Sequence, residues 1–267
     1  MMRKRRKLIQ LICVLLYNCN FTGFAKGTIY QGEVKGMCVP GLNCYSCPGA
    51  IASCPIGSLH SALVSSNYKV PYYILGVLLL FGVVLGRVIC GFLCPFGLVQ
   101  EILYKIPSPK MKKNQWTRRL AYMKYVILVV FAIAIPVLWA KPGFCKYICP
   151  AGTLEGGIFL VAMDERLQAM TGSLYLWKIF LLIVVVISVI FIFRSFCRFI
   201  CPLGAFYSFF HKVSIVGMKI DEEKCNHCNA CVIQCKMDVK QVGDRECIQC
   251  GECMEHCRQC ALTFGKK

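Results

Sequence analysis

The chain has 267 residues, enough for one domain or for a membrane domain with a small appendage. It is 57% hydrophobic, too apolar for an ordinary soluble domain and in the range of a multi-spanning membrane protein. The net charge of +18 is spread over the N-terminus, the segments between apolar runs and the tail, not along one aromatic-interleaved stripe; that sets nucleic-acid binding aside and leaves charges that orient spans.

In chain order, Met1–Lys7 (MMRKRRK) is a basic run ahead of the apolar Leu8–Tyr17. Two readings of residues 1–25 stay open: a signal peptide with a small-residue cleavage site at Gly23-Phe24-Ala25, or a short first transmembrane span. Either way the N-terminus stays inside and the next segment is exported. Residues 26–69 are polar and Gly-rich and carry Cys38, Cys44, Cys47 and Cys54. Residues 70–218 read as a membrane domain with three spans at about 70–88, 120–140 and 174–194, each near the ~20 residues a helix needs to cross the hydrocarbon core. Lys105, Lys110, Lys112, Lys113, Arg118 and Arg119 follow the first of these, and Arg194, Arg198, Lys212 and Lys219 end or follow the last, whereas 141–173 mixes both signs. The positive-inside rule therefore places 90–119 and everything beyond 195 in the cytoplasm, with 26–69 and 141–173 outside. Trp116, Trp139 and Trp177 fall near span ends, where interfacial indoles concentrate.

The tetrapeptide Cys-Pro-x-Gly occurs at Cys54, Cys94, Cys149 and Cys201, and the last three have a second cysteine four positions earlier, at Cys90, Cys145 and Cys197. Twenty-one cysteines beside spanning helices and Cys-x2-Cys runs do not make a secreted disulfide scaffold. Isolated groups of four would satisfy zinc, while the repeated spacing favours iron–sulfur clusters. Cys90, Cys94, Cys197 and Cys201 lie at inner helix ends and supply the four thiolates of one [4Fe–4S] cluster. The x3 spacing is expected to put both sulfurs of a pair on one helical face, with proline stopping or redirecting the helix and glycine admitting the cofactor. Outside, Cys145, Cys149, Cys54 and one of Cys44 or Cys47 are the expected second set. The alternatives are Cys38, Cys44, Cys47 and Cys54 around one cluster, or disulfides among the exported thiols. Cys13 and Cys19 read as small hydrophobes. Outer motif, span and inner motif recur in the same direction through Cys54–Cys94 and Cys149–Cys201, as in a parallel internal repeat. With ~30 Å of hydrocarbon between the faces, either the clusters sit well inside the bilayer or a quinone, flavin or partner bridges them.

Residues 219–267 form a separate cytoplasmic domain. Cys225-x2-Cys228-x2-Cys231-x3-Cys235 and Cys247-x2-Cys250-x2-Cys253-x3-Cys257 resemble the bacterial two-cluster ferredoxin. By position, that resemblance implies one cluster on Cys225, Cys228, Cys231 and Cys257, and another on Cys247, Cys250, Cys253 and Cys235. Lys236 and Arg258 stand where that family has proline, and Cys260 is a competing thiol three residues after Cys257.

Over residues 70–260 the motif combination resembles the membrane polyferredoxins of the NapH and NosR type. The resemblance implies an α-helical integral membrane protein of three to four spans with a small C-terminal α+β two-cluster ferredoxin-like domain. It further implies a bacterial-type cytoplasmic (inner) membrane, with electrons passing between a cytoplasmic donor or the quinone pool and an acceptor at or beyond the outer face. Implied partners are cytoplasmic redox proteins, an exported reductase or flavoprotein, quinone and the lipid bilayer. The third Cys-x3-Cys-Pro motif and the exported cysteines point to a more cluster-rich branch. Two other functions compete: a quinol-linked enzyme subunit with inner-side clusters only, and a redox-sensing or maturation factor for a partner reductase. The sequence has no Cys-x-x-Cys-His haem motif, no dinucleotide-binding glycine fingerprint and no Ser/His/Asp set. The chain therefore reads as an electron-transfer subunit of an oxidoreductase system rather than a stand-alone enzyme, its chemistry belonging to the clusters.

Overall fold

Helices carry most of the chain, and a single two-stranded sheet closes the C-terminal region among the described residues. The computed structural model describes residues 2–65, 71–111 and 113–266. Val70, at the start of the first expected span, and Lys112, among the expected inner-loop charges, lie outside the described residues, as do Met1, residues 66–69 and Lys267.

Among the described residues two helices are long and apolar enough to cross a bilayer: Gln115–Trp139, with 25 residues, and Ser173–Phe191, with 19. At 1.5 Å per residue they span about 37 and about 28 Å. Only 33% and 17% of their apolar windows are buried inside the molecule, so most of their surface faces outward, unlike the core helix of a soluble protein. On Ser173–Phe191, Leu182, Val185 and Val189 pack inward while Leu176, Phe180, Ile183 and Ile187 stay exposed. Gln115–Trp139 widens into a π-helical stretch at Leu128–Ala134 just before Pro136. A wider turn of this kind accommodates a ring that can accept no place in the regular hydrogen-bond ladder.

The first expected span is shorter than its hydropathy suggests. Tyr72–Val84 is a helix of 13 residues, about 20 Å long. Gly86 then takes a left-handed φ of 49°, which glycine adopts without strain, and the chain turns into the short helix Val88–Phe92. The turn delivers Arg87, fully buried, beneath the C-terminal region.

Residues 2–17 form a helix packed against the first inner cysteine motif. Its Arg6 is fully buried and grips Glu101 through both Nη atoms, at 2.6 and 2.9 Å, while Gln10 donates to the Cys94 carbonyl at 3.1 Å. At the other end the Tyr17 carbonyl accepts from the Ile51 N–H at 3.0 Å. The helix thus ties the Cys-rich segment 26–69 to the first Cys-x3-Cys-Pro motif.

Strands β1 (Val216–Ile220) and β2 (Leu262–Lys266) pair antiparallel, from Val216 opposite Lys266 to Ile220 opposite Leu262. They draw together the two ends of a cysteine-rich loop. Phe92 stacks on Phe264 with ring centroids 5.2 Å apart, which seats this region on the helices.

Candidate iron–sulfur sites

Each Cys-Pro-x-Gly copy builds the same local device. Cys94, Cys149 and Cys201 are the N-caps of the helices that follow, in extended conformation with ψ of 116°, 109° and 112°, and proline takes the first helical position. Proline drives the preceding residue out of the helical region and is itself at home where no N–H is needed. The motif's proline therefore starts a new helix rather than merely stopping one: of the two outcomes expected from the sequence, it redirects the chain. The glycine N–H then donates back to the capping sulfur: Gly204 to Cys201 at 3.3 Å, and likewise Gly57 to Cys54, Gly97 to Cys94 and Gly152 to Cys149. A sulfur in this place meets the positive end of the helix dipole, which favours thiolate. Cys90, Cys145 and Cys197 sit on separate short helices, Val88–Phe92, Gly143–Tyr147 and Ser195–Phe199. The two cysteines of a pair thus sit on either side of a bend rather than along one helix.

The structure gathers the cysteines into sets. Cys90, Cys94, Cys197 and Cys201 are all buried in the core and lie within electrostatic reach of one another. Gln100 donates to the Cys197 sulfur at 3.0 Å, and Arg194, paired with Glu101 at 2.6 Å, donates to the Cys90 carbonyl. In the set expected outside, Cys44, Cys54, Cys145 and Cys149 line a single cavity of about 430 Å³, together with His60 and Lys178. Cys47 is buried outside that lining, and the Cys38 thiol bonds Ser58 instead. Of the two thiols left open by the sequence, Cys44 is the one that reaches the cavity. Of the alternative grouping Cys38, Cys44, Cys47 and Cys54, only Cys44 and Cys54 line the cavity.

In the C-terminal region, Cys225, Cys228, Cys231 and Cys257 line a cavity of about 720 Å³. Cys235, Cys247, Cys250 and Cys253 surround a second, tighter one, which Cys231 also borders. Cys260 is exposed and lines neither, while His256 lines both. This grouping follows the interlocked pattern in which the fourth cysteine of each run serves the other run's site.

The donor chemistry fits a cluster rather than a lone ion. Among the described residues no group of three or more His, Cys, Asp or Glu is placed to hold a single metal ion; the sulfurs of Cys44, Cys54, Cys145 and Cys149 and those of the C-terminal runs line cavities, and Cys90, Cys94, Cys197 and Cys201 lie together in the core. Burial pushes the thiols of Cys44 and Cys149 up to about 12 and that of Cys54 to about 11, and in the C-terminal region burial raises Cys235 and Cys253 to about 12 and Cys250 to about 11. Ionising such thiols at neutral pH takes a positively charged partner inside the cavity, as iron would be, with release of their protons on binding.

Two groups of functional residues escaped the motif reading. The residue six positions after each capping cysteine is polar and turned toward a cysteine set: His60, Gln100, Glu155 and Tyr207. Gln100 follows Cys94 yet bonds Cys197, and Glu155 follows Cys149 yet accepts from the Cys44 N–H at 2.8 Å. Tyr207 donates to the Pro40 carbonyl at 3.1 Å, and His60 lines the outer cavity. Extending the repeat from Cys-Pro-x-Gly to Cys-Pro-x-Gly-x-x-polar would have found them. The second group docks the C-terminal region. Glu246 meets Lys124 at 2.6 Å and Arg87 at 3.3 Å, Asp238 meets Arg198 and Arg118, and Glu252 meets Arg6 at 3.2 Å. Arg118 and Arg198, counted in the sequence as topology charges, are thus also docking charges.

Comparison with known proteins agrees with this arrangement. The family described as "4Fe-4S binding domain" matches residues 70–114, 123–165 and 173–220, and each stretch holds one Cys-x3-Cys-Pro motif. An uncharacterized protein of Methanocaldococcus jannaschii is 31% identical over 72% of this chain and 69% of its own. The ferredoxin-type protein NapH of Haemophilus influenzae is 25% identical over 72% of this chain and 67% of its own. The regulatory protein NosR of Pseudomonas aeruginosa is 26% identical over 67% of this chain but only 24% of its own. No solved structure matches the chain. With three copies of the matching element, each carrying a Cys-x3-Cys-Pro motif, the chain belongs to the 4Fe-4S binding domain family, as an iron–sulfur electron-transfer polyferredoxin of the NapH/NosR type.

Proposed function

We propose that the chain is a multi-pass membrane electron-transfer protein with four [4Fe–4S] sites, joining a cytoplasmic donor or the quinone pool to an acceptor at or beyond the outer face. The sites are Cys225, Cys228, Cys231 and Cys257; Cys247, Cys250, Cys253 and Cys235; Cys90, Cys94, Cys197 and Cys201; and Cys44, Cys54, Cys145 and Cys149. When bound, each cluster takes up and releases one electron; the protein holds it, excludes water and sets its potential.

The observation that carries this reading is the continuity of the four sets. Cys231 borders both C-terminal cavities. Gly91, beside Cys90, lies so near the second of them that a Cβ there would fall 2.5 Å from the Ile248 carbonyl oxygen and 3.8 Å from the Cys250 Cα. Buried Arg87, Arg194 and Gln100 offer positive charge and N–H groups around the third set. The exposed apolar faces of Gln115–Trp139 and Ser173–Phe191 support residence in a bilayer, and the loop charges support a cytoplasmic C-terminal domain.

Iron and acid-labile sulfide measured on anaerobically purified full-length protein test the proposal. About sixteen irons per chain are expected for four cubane clusters. About eight, leaving only the C-terminal pair, would refute it.

A further inference from the structure

The cysteine sets assigned by charge to opposite faces are joined by a short stretch of backbone. Val39–Asn43 is buried throughout. A Cβ at Gly41 would sit 3.0 Å from the Cys94 Cα and 3.0 Å from the Leu93 carbonyl oxygen, so a side chain there would have to push the segment off the Cys90/Cys94 motif by a few tenths of an ångström. The next residue, Leu42, donates its N–H to the Cys94 sulfur. One residue further, the Asn43 carbonyl accepts the Cys54 N–H at 3.0 Å while its side chain donates to the Ala52 carbonyl at 3.1 Å. Cys44 follows, its N–H on Glu155 and its sulfur in the outer cavity. Leu42 touches one set and Cys44 belongs to the other, and the two residues are at most ~7 Å apart along the chain. That is a small fraction of the ~30 Å of hydrocarbon that loop charges alone would put between the sets.

Tyr207 pins this strap. It is fully buried, its hydroxyl donates to the Pro40 carbonyl, and its ring lies within electrostatic reach of Cys90, Cys94 and Cys201 on one side and of Cys54 on the other.

We propose that the strap Pro40–Cys44, braced by Tyr207, is the conduit for electron transfer between the inner and outer cysteine sets. The proposal rests on reading both sets as cluster sites. The step is a transfer of one electron: one site is oxidised by one equivalent while its neighbour is reduced by one, no bond breaks and no proton moves. Tunnelling falls off steeply with distance and is carried best by covalent and hydrogen-bonded paths. Here that path is a Cys94 hydrogen bond followed by the backbone from Leu42 to the Cys44 sulfur.

Electron paramagnetic resonance on the dithionite-reduced, full-length protein, with iron counted on the same sample, tests this. In the wild type the inner-site signal is expected to be broadened by spin coupling to the outer site, and to sharpen in Cys54→Ser/Cys149→Ser. Gly41→Val, which forces the strap off Cys94, and Tyr207→Phe, which frees Pro40, are expected to lose part of that coupling and to slow inter-site equilibration after flash reduction, at unchanged iron. If Gly41→Val does not accumulate, Tyr207→Phe decides the matter alone. About sixteen irons with coupling and equilibration identical in all three proteins would overturn the conduit and leave the four-site reading standing. About twelve irons in the wild type, with no outer-site signal, would overturn the four-site reading and the conduit with it.

Discussion

Arg87 concentrates the electrostatics of the inner set in one side chain. It is fully buried, and one Nη reaches Glu246 and the Arg245 carbonyl, but its Nε and second Nη have no hydrogen-bond partner. Leaving guanidinium donors unpaired in the interior costs on the order of 1–3 kcal/mol or more. An anionic cluster on the neighbouring Cys90 and Cys197, both within its electrostatic reach, would satisfy them. A positive charge there favours the reduced, more negative state of the cluster. Arg87→Leu should therefore lower the inner-site midpoint potential, on the order of 50–100 mV, and Arg87→Lys should recover most of it. Potentiometric titration followed by electron paramagnetic resonance reads this out, and equal potentials in all three proteins would remove Arg87 from the argument. Glu101 makes a different residue-scale case. Burial alone would raise its carboxyl, but Arg194 and Arg6 hold it down to about 2, below its ordinary 4.5. Its folded-state value being depressed, its contribution to stability is present above about 4.5 and is lost as pH falls toward 2. Glu101→Gln leaves buried Arg194 without its carboxylate and Arg6 with Glu252 alone, and should cost about 3–5 kcal/mol at neutral pH, visible as a lower thermal-unfolding temperature in detergent. A variant as stable as the wild type would show that the clamp is dispensable.

Among the elements, the N-terminal helix carries a role that its composition conceals. A basic run followed by an apolar stretch suits a leader and a short span equally well, and hydropathy cannot separate them because neither reading depends on a tertiary partner. The helix does have such partners: Arg6 on Glu101 and Glu252, Gln10 on the Cys94 carbonyl, and Tyr17 on Ile51. From these contacts we expect residues 2–17 to remain in the mature protein, as intact-mass measurement on purified membranes would establish; a mass corresponding to cleavage near Ala25 would contradict it. The segment at 70–88 shows the same limit from the other direction. Its apolar content was plain in the sequence, yet the helix ends at Val84 because Gly86 turns the chain and Arg87 is drawn to Glu246, a partner 159 residues away. By contrast Gln115–Trp139 and Ser173–Phe191 lie close to the expected spans, since a helix facing outward on most of its surface owes its extent to its own composition. The proline-started helices were half legible. Cys-Pro was visible as punctuation, but a sulfur accepting the glycine N–H as an N-cap becomes evident only from the backbone.

At the scale of the whole molecule, the pairing of Cys90/Cys94 with Cys197/Cys201, and of Cys54 with Cys145/Cys149, could be read from the repeat. The closeness of the two sets could not, because loop charge reports which side a segment faces and nothing about how far it folds inward; Gly41 against Cys94 is the contact that draws the segment before Cys44 onto the Cys90/Cys94 motif. The seat of the C-terminal region was equally hidden, being made by single carboxylates, Asp238, Glu246 and Glu252, each facing positive side chains from distant segments. Buried ion pairs of this kind contribute less to net stability than to fixing a geometry, since desolvation offsets much of their attraction, whereas breaking one side of them is costly. Asp238→Lys/Glu246→Lys puts like charges against Arg198, Arg118, Lys124 and Arg87. It should release the C-terminal region from the helices while β1, β2 and the eight cysteines of its two runs stay intact. We therefore expect the double variant to keep the iron of the wild type, to become cleavable by trypsin between Phe209 and Val216, and to lose the spin coupling between the Cys247-containing site and the inner set. Retained coupling together with trypsin resistance would mean that Phe92 on Phe264 and the close approach of Gly91 to Ile248 hold the seat by packing alone, and that the charges serve only to orient the chain in the membrane.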